Sequence, residues 1–314
     1  MKEATVQQTM KKWLTESRNF VRESSFQAYR NIVEQHINPR LGEYRLEEMN
    51  QRVLQDFTTK LLKNGRVDGR GGLSAKTVQN IVLVLKSGLR VVPGLEWDFR
   101  RLSFSRYAGE SARKKPAVFT EEEQRKIALL VKENLNCRTM GILFCLSTGI
   151  RIGELCAIKW EDVDLEKKTV LIRKTMQRVA KVNRNSGNKT KILLSEPKTK
   201  NAWREIPLST DLLELLTKLP YRKWDYLLSG TKKYVEPRVY RAFFTRFLKK
   251  HGIRHIKFHG LRHTFATTCV GNKIDCKVVS ELLGHASVTT TFDFYVHPDL
   301  EEKRKCVENL VFFQ

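Results

Sequence analysis

No stretch of this sequence approaches the roughly eighteen uninterrupted apolar residues that a membrane-crossing helix needs. The first twenty residues carry Lys2, Glu3, Lys11, Lys12 and Glu16 without an apolar run, so no secretory leader is expected and the chain is expected to work in the cytoplasm. The six cysteines never fall as Cys-x-x-Cys, which favours buried free thiols over disulfides or a zinc site. There is no internal repeat, and the glycines of NGRVDGRGG (64–72) are too irregular for a nucleotide-binding fingerprint. Acidic side chains are the most telling shortage: 34 Asp+Glu face 58 Lys+Arg, a net charge of +24. Such a surplus destabilises the compact state by self-repulsion, and a solubilising surface alone is a weak reason to carry it. A polyanion is the economical partner, and nucleic acid the first choice. No amphipathic anchor accompanies the charge, which argues against a membrane surface.

What remains reads as a mainly α chain with a small antiparallel β-sheet, an α+β fold in two domains. Residues 1–96 form the first, a helical bundle. Val6, Met10, Trp13 and Leu14 share a helical face, as do Phe26, Tyr29, Ile32, Val33 and Ile37 before a stop at Asn38-Pro39. A third helix runs from Leu46 to Leu62, and Ser74 caps a fourth through Val78, Ile81, Val82, Leu85 and Leu89. Periodicity then fades into a basic linker over 97–116. The second domain, 117–314, opens on a capping box of Thr120 and Glu123. The alternation of TVLIRKTMQRV (169–179) predicts one half-buried strand, and EPKTKNAWREIPL (196–208) a hairpin turning near Lys200 and Asn201. Helices are expected near 210–219, 237–250, 260–271, 275–283 and 299–309.

Several residues stand out, each with a plain alternative. Gly149 breaks a helix that restarts at Arg151, leaving an arginine at a helix N-terminus against the dipole rule; Glu154 reads as its structural neighbour. His259 and Arg262 lie three apart on one helical face. His263, four from His259, gives a zinc-like pair, yet Gly260 stands where a hydrolytic zinc site wants glutamate; His263 therefore reads as a packing or hydrogen-bonding residue. His285 follows a helix-ending glycine and Tyr295 sits among Phe292 and Phe294, so capping and core packing are their ordinary readings. Lys198 and Lys200 are ordinary strand-edge charges.

Together these residues lose their ordinariness. STGIRIGEL around Arg151, PKTKNAWREIPL with Lys198, HGLRHTFAT with His259 and Arg262, LGH with His285 and TTTFDFYVHP with Tyr295 resemble the boxes of the tyrosine recombinase (phage integrase) family. HINPRLGEYRLEEM and LSAKTVQNI in the first domain are similar to the family's SAM-like core-binding domain. The resemblance implies a C-shaped clamp on double-stranded DNA and strand breakage through a 3′-phosphotyrosyl link to Tyr295. Arg151 and Arg262 would hold the phosphate, Lys198 (with Lys200 as rival) would protonate the leaving oxygen, His259 would be base or proton shuttle, and His285 would donate to the phosphate. The bond energy stays in the covalent link, so neither metal nor ATP is implied. The partners implied are DNA, further copies of the chain in a tetrameric synapse docked by the tail after Tyr295, and accessory bending or directionality factors, on a bacterial nucleoid. The spacing from His285 to Tyr295 and the long PKTKNAW segment look more like integrases of phages and conjugative transposons than Xer-type resolvases, although the chain begins almost at the core-binding helices. A type IB topoisomerase and a non-catalytic DNA-binding regulator on the same scaffold are the remaining alternatives.

Overall fold

A computed structural model of the chain describes residues 4–90, 92, 97–104, 116–180, 190–196, 203–220, 222–285 and 287–295. The described residues divide into two compact units, one built on 4–104 and the other on 116–178 with 190–295.

The first unit holds α1 (Val6–Ser17), α2 (Glu23–Ile32), α3 (Asn38–Leu41), α4 (Gln51–Asn64) and α5 (Ala75–Leu89). Thr5, Asn50 and Ser74 cap α1, α4 and α5 by accepting from free backbone N–H groups. The expected stop at Asn38-Pro39 is absent: a π turn over Val33–Ile37 carries the helix through to Leu41. Pro39 lies in the first turn of α3, where a missing N–H costs little. Val6, Met10, Ile37, Leu54, Leu61, Ile81, Leu85 and Leu89 make one closed core. The described part of the expected linker packs on it. Leu102 is buried, the Trp97 indole donates to the Met49 carbonyl at 3.2 Å, and the Ser103 amide donates to Gln55 at 3.0 Å. Periodicity fades there because the segment, with one 3₁₀ turn over Phe99–Arg101, packs without any α-helical repeat.

The second unit runs α6 (Glu121–Glu133), α7 (Cys137–Thr148), α8 (Ile152–Leu155), β1 (Val163–Asp164), β2 (Thr169–Ile172), β3 (Thr175–Ala180), β4 (Thr190–Ser195), β5 (Arg204–Pro207), α9 (Thr210–Thr217), α10 (Pro237–Lys250), α11 (His259–Gly271), α12 (Cys276–Leu283) and α13 (Val288–Tyr295). The Thr120–Glu123 capping box is present in both directions. One sheet expectation is corrected. The strand expected over 169–179 is broken after Ile172, where Arg173 turns to pair with Glu161 and Asp162. Residues 197–202, the turn and most of the first arm of the expected hairpin, lie outside the described residues; β5 joins β2 antiparallel, with Val170 opposite Ile206, and β4 pairs with β3. The helix expected near 299–309 lies outside the described residues. Trp160, Phe144, Tyr240, Phe244 and Leu261 fill the core, in which α11 lies along α7. The Tyr240 hydroxyl donates to the Arg138 carbonyl at 2.7 Å, which satisfies the one polar atom of a buried ring. The five described cysteines are free thiols. No described helix is long and apolar enough to cross a membrane.

Candidate active site

Arg151 is the N-cap residue of α8. Its amide donates to Glu154 Oε2 and its Nη1 to Glu154 Oε1, both at 2.9 Å, while Nη2 reaches the Gly284 carbonyl at 3.2 Å. The misfit of an arginine at a helix start is thus answered locally, by a carboxylate in the first turn.

Glu154 is only 3% exposed and has a second partner. Arg204 of β5, also buried, donates from Nη2 to Glu154 Oε2 at 2.9 Å and from Nε to the Leu282 carbonyl at 2.6 Å. Burial pushes the Glu154 carboxyl up, but the Arg204 charge and hydrogen bonds, helped by Arg151, hold it below its ordinary value. Arg204 therefore ties α8 to the C-terminal end of α12. There Gly284 takes a left-handed φ of 63°, and a Cβ on it would meet Arg204 Nη1 at 3.0 Å. His285 follows, its amide closing the helix end onto the Ser280 carbonyl. Its Nδ1 lies 2.9 Å from the hydroxyl of the buried Thr291. A Thr291 hydroxyl that donates here would leave the imidazole proton on Nε2.

Arg262 enters from α11 and is 2% exposed. Its Nη1 donates to the Gly149 carbonyl at 3.0 Å. Gly149 ends α7 in the left-handed region with φ 65°, where a Cβ would stand 2.5 Å from Phe265 Cδ1; glycine alone turns that carbonyl toward Arg262. Arg262 Nη2 is buried and has no hydrogen-bond partner among the described residues. A buried guanidinium donor is costly to leave unpaired, and an anionic oxygen would satisfy it. Burial, then the nearby Arg151 charge, pushes the Arg262 pKa down to about 9.

The histidines answer to the same field. Burial, His263, Arg262 and Arg151 lower His259 to about 4. Burial, then Arg262, Arg151 and Arg204, lower His285 to about 4 as well. Both are neutral at neutral pH, each with one donor and one acceptor nitrogen. Tyr295 ends α13, packed beside Ala266, Cys269, Val279 and Leu283. Its hydroxyl lies 2.6 Å from His263 Nδ1. Burial raises its pKa, and Arg262 pulls the other way.

Arg151, His259, Arg262, His285 and Tyr295 thus share one electrostatic neighbourhood. Lys198 and Lys200 lie outside the described residues. Sequence reasoning passed over Arg204, although its alternation with the core residue Ile206 placed it on the inward face of β5. It also gave His263 only a packing or hydrogen-bonding role. The chemistry the site offers is binding of a phosphate-like anion between arginines, beside a tyrosine oxygen and neutral imidazoles.

Known proteins share this arrangement of chain. A model of the phage integrase family matches residues 117–302, and one of the phage integrase N-terminal SAM-like domain matches 5–62. The XerC-like tyrosine recombinase of Caldanaerobacter subterraneus subsp. tengcongensis is 29% identical over 212 residues, 62% of this chain and 53% of that one. The ICEBs1 integrase of Bacillus subtilis is 24% identical over 91% of this chain and 77% of its own. The alignments span about half the length of the first curated relatives, 53% and 48%. The solved Tn1549 transposon integrase in complex with a circular intermediate DNA superposes with a TM-score of 0.74, at 21% identity, over 98% of this chain and 100% of that one, a likeness of fold. The family model covers more than half of the sequence, and this chain belongs to the phage integrase family.

Proposed function

We propose that the protein is a site-specific DNA recombinase that breaks and rejoins strands through a covalent 3′-phosphotyrosyl intermediate at Tyr295. The observation that carries this reading is Arg262: a buried guanidinium whose Nη2 has no partner among the described residues, in the field of Arg151 and within electrostatic reach of Tyr295. A phosphodiester concentrates negative charge on its non-bridging oxygens as it is attacked, and fixed guanidinium forks stabilise that charge more in the transition state than before it. Arg151 and Arg262 take this role. Neutral His285 donates a hydrogen bond to the phosphate, and His259 serves as base or proton shuttle. Lys198 protonates the departing 5′-oxygen, with Lys200 as its rival. The liberated 5′-hydroxyl, or one from a second duplex, attacks the phosphotyrosine and reseals the strand.

Duplex DNA is the partner that the +24 charge calls for, bound chiefly through its phosphates and therefore steeply weakened by salt. Strand exchange between two duplexes requires several copies of the chain, which we take to be a tetramer on the bacterial nucleoid, aided by accessory bending or directionality factors. The likeness to the ICEBs1 and Tn1549 integrases favours integration or excision of a mobile element. The XerC-like relative supports chromosome-dimer resolution as the second reading. A DNA duplex nicked near the crossover point tests the core of the reading. A covalent protein–DNA adduct should accumulate without metal or ATP and be absent in Tyr295→Phe; an undiminished adduct in that variant refutes the nucleophile.

A further inference from the structure

Deprotonation of Tyr295 needs a base in contact with its hydroxyl, and among the described residues His263 is such a base, its Nδ1 2.6 Å from the tyrosine oxygen. His263 stands on α11 directly after Arg262, and its ring meets the His259 ring edge-on with centroids 4.6 Å apart. Among the described residues, His259 and Arg262 on its own helix and Tyr295 on α13 are ionisable groups that face it. We propose that His263 is a catalytic residue of strand cleavage, its Nδ1 accepting the Tyr295 proton as the phenolic oxygen attacks phosphorus. The proposal rests on the recombinase reading and reassigns the first proton transfer, leaving His259 as the relay behind it.

The step balances. The Tyr295 O–H bond breaks and its proton passes to His263 Nδ1 while the O–P bond forms. The P–O5′ bond breaks, its electron pair leaves with the 5′-oxygen, and the general acid supplies that oxygen with a proton. On rejoining, His263 returns its proton to the tyrosine. Two further facts agree with the geometry. Burial, then Arg262, keeps His263 below the ordinary histidine range, so its ring is neutral and able to accept. Burial raises Tyr295, so its hydroxyl will not ionise unaided near neutral pH.

The test is single-turnover adduct formation on the nicked duplex by the full chain. His263→Gln can still hold the hydroxyl but is not a base. It should slow adduct formation about 100-fold, within the usual range for lost general-base catalysis, with DNA affinity and melting temperature unchanged. Replacing Tyr295 by trifluorotyrosine, whose phenol ionises far more readily, should recover most of that loss, which a merely structural defect would not allow. If His263→Gln lowers the melting temperature, His263→Ala with added imidazole takes its place, and the rate should rise with imidazole concentration. A wild-type rate in His263→Gln, or a slow rate that neither trifluorotyrosine nor imidazole improves, overturns the proposal. Absence of any adduct with the wild-type chain would instead strike at the recombinase reading.

Discussion

Arg204→Met removes the guanidinium that braces Glu154 and the end of α12. Both charged groups of the pair are nearly inaccessible, with side chains 6% and 4% exposed. Deleting one partner of a buried ion pair costs about 3–5 kcal/mol, because the other charge stays buried. The Leu282 carbonyl also loses its donor, worth about 1 kcal/mol. Arg151 still reaches Glu154 and offsets part of this, so the net loss should be about 3 kcal/mol. The assay is urea unfolding of the second unit within the full chain, at pH 7 and again near pH 4.5. Glu154 is held below its ordinary 4.5, so in the wild type its contribution is present above that pH and lost as pH falls through the depressed value. Without Arg204, burial is no longer outweighed and the carboxyl pKa rises. Protonation then relieves the variant, and the gap to wild type should narrow on acidification. Glu154→Gln added to Arg204→Met should restore part of the loss at pH 7. A cost below about 1 kcal/mol, or a cost indifferent to Glu154→Gln, would refute the account of this brace.

Arg262→Met should abolish adduct formation yet raise the melting temperature without DNA, since it removes a buried charge with an unpaired donor; gains of about 0.5–2 kcal/mol accompany such active-site replacements, and calorimetry without DNA reads the sign. His259 and His285 are lowered to about 4 from 6.5, so the folded state binds fewer protons than the unfolded one between those values. The stability they permit is full above pH 6.5 and should fall as pH drops toward 4, and His285→Asn should flatten that decline in a pH series of melting curves. With a substrate whose leaving 5′-oxygen is replaced by sulfur, Lys198→Ala should regain its lost cleavage rate while Lys200→Ala should not; the reverse pattern would make Lys200 the acid.

The local grammar of the chain was legible and its long-range contacts were not. Ser74, Thr120 and Glu123 announced helix starts because a cap is decided within three residues. His259 and Arg262 announced a shared face because helical spacing fixes it. The break in the strand after Ile172 was hidden, since it depends on Arg173 meeting carboxylates of Glu161 and Asp162 earlier in the chain. Arg204 carries no local signal of its partners in a basic sequence, because they lie 50 and 78 residues away. The contact between His263 and Tyr295, 32 residues apart, depends on how α13 returns to α11. The sequence spacing that suggested a zinc pair correctly brought the His259 and His263 rings together, but the second ring turns to a tyrosine.

The central claim is that the Tyr295 oxygen attacks phosphorus to leave a 3′-phosphotyrosyl link. Its most direct test is mass spectrometry of the trapped adduct after digestion with trypsin and nuclease. The account expects a single nucleotide-bearing peptide, modified on Tyr295 and joined to the DNA 3′-phosphate. Modification of any other residue, or attachment through a 5′-phosphate, would contradict it.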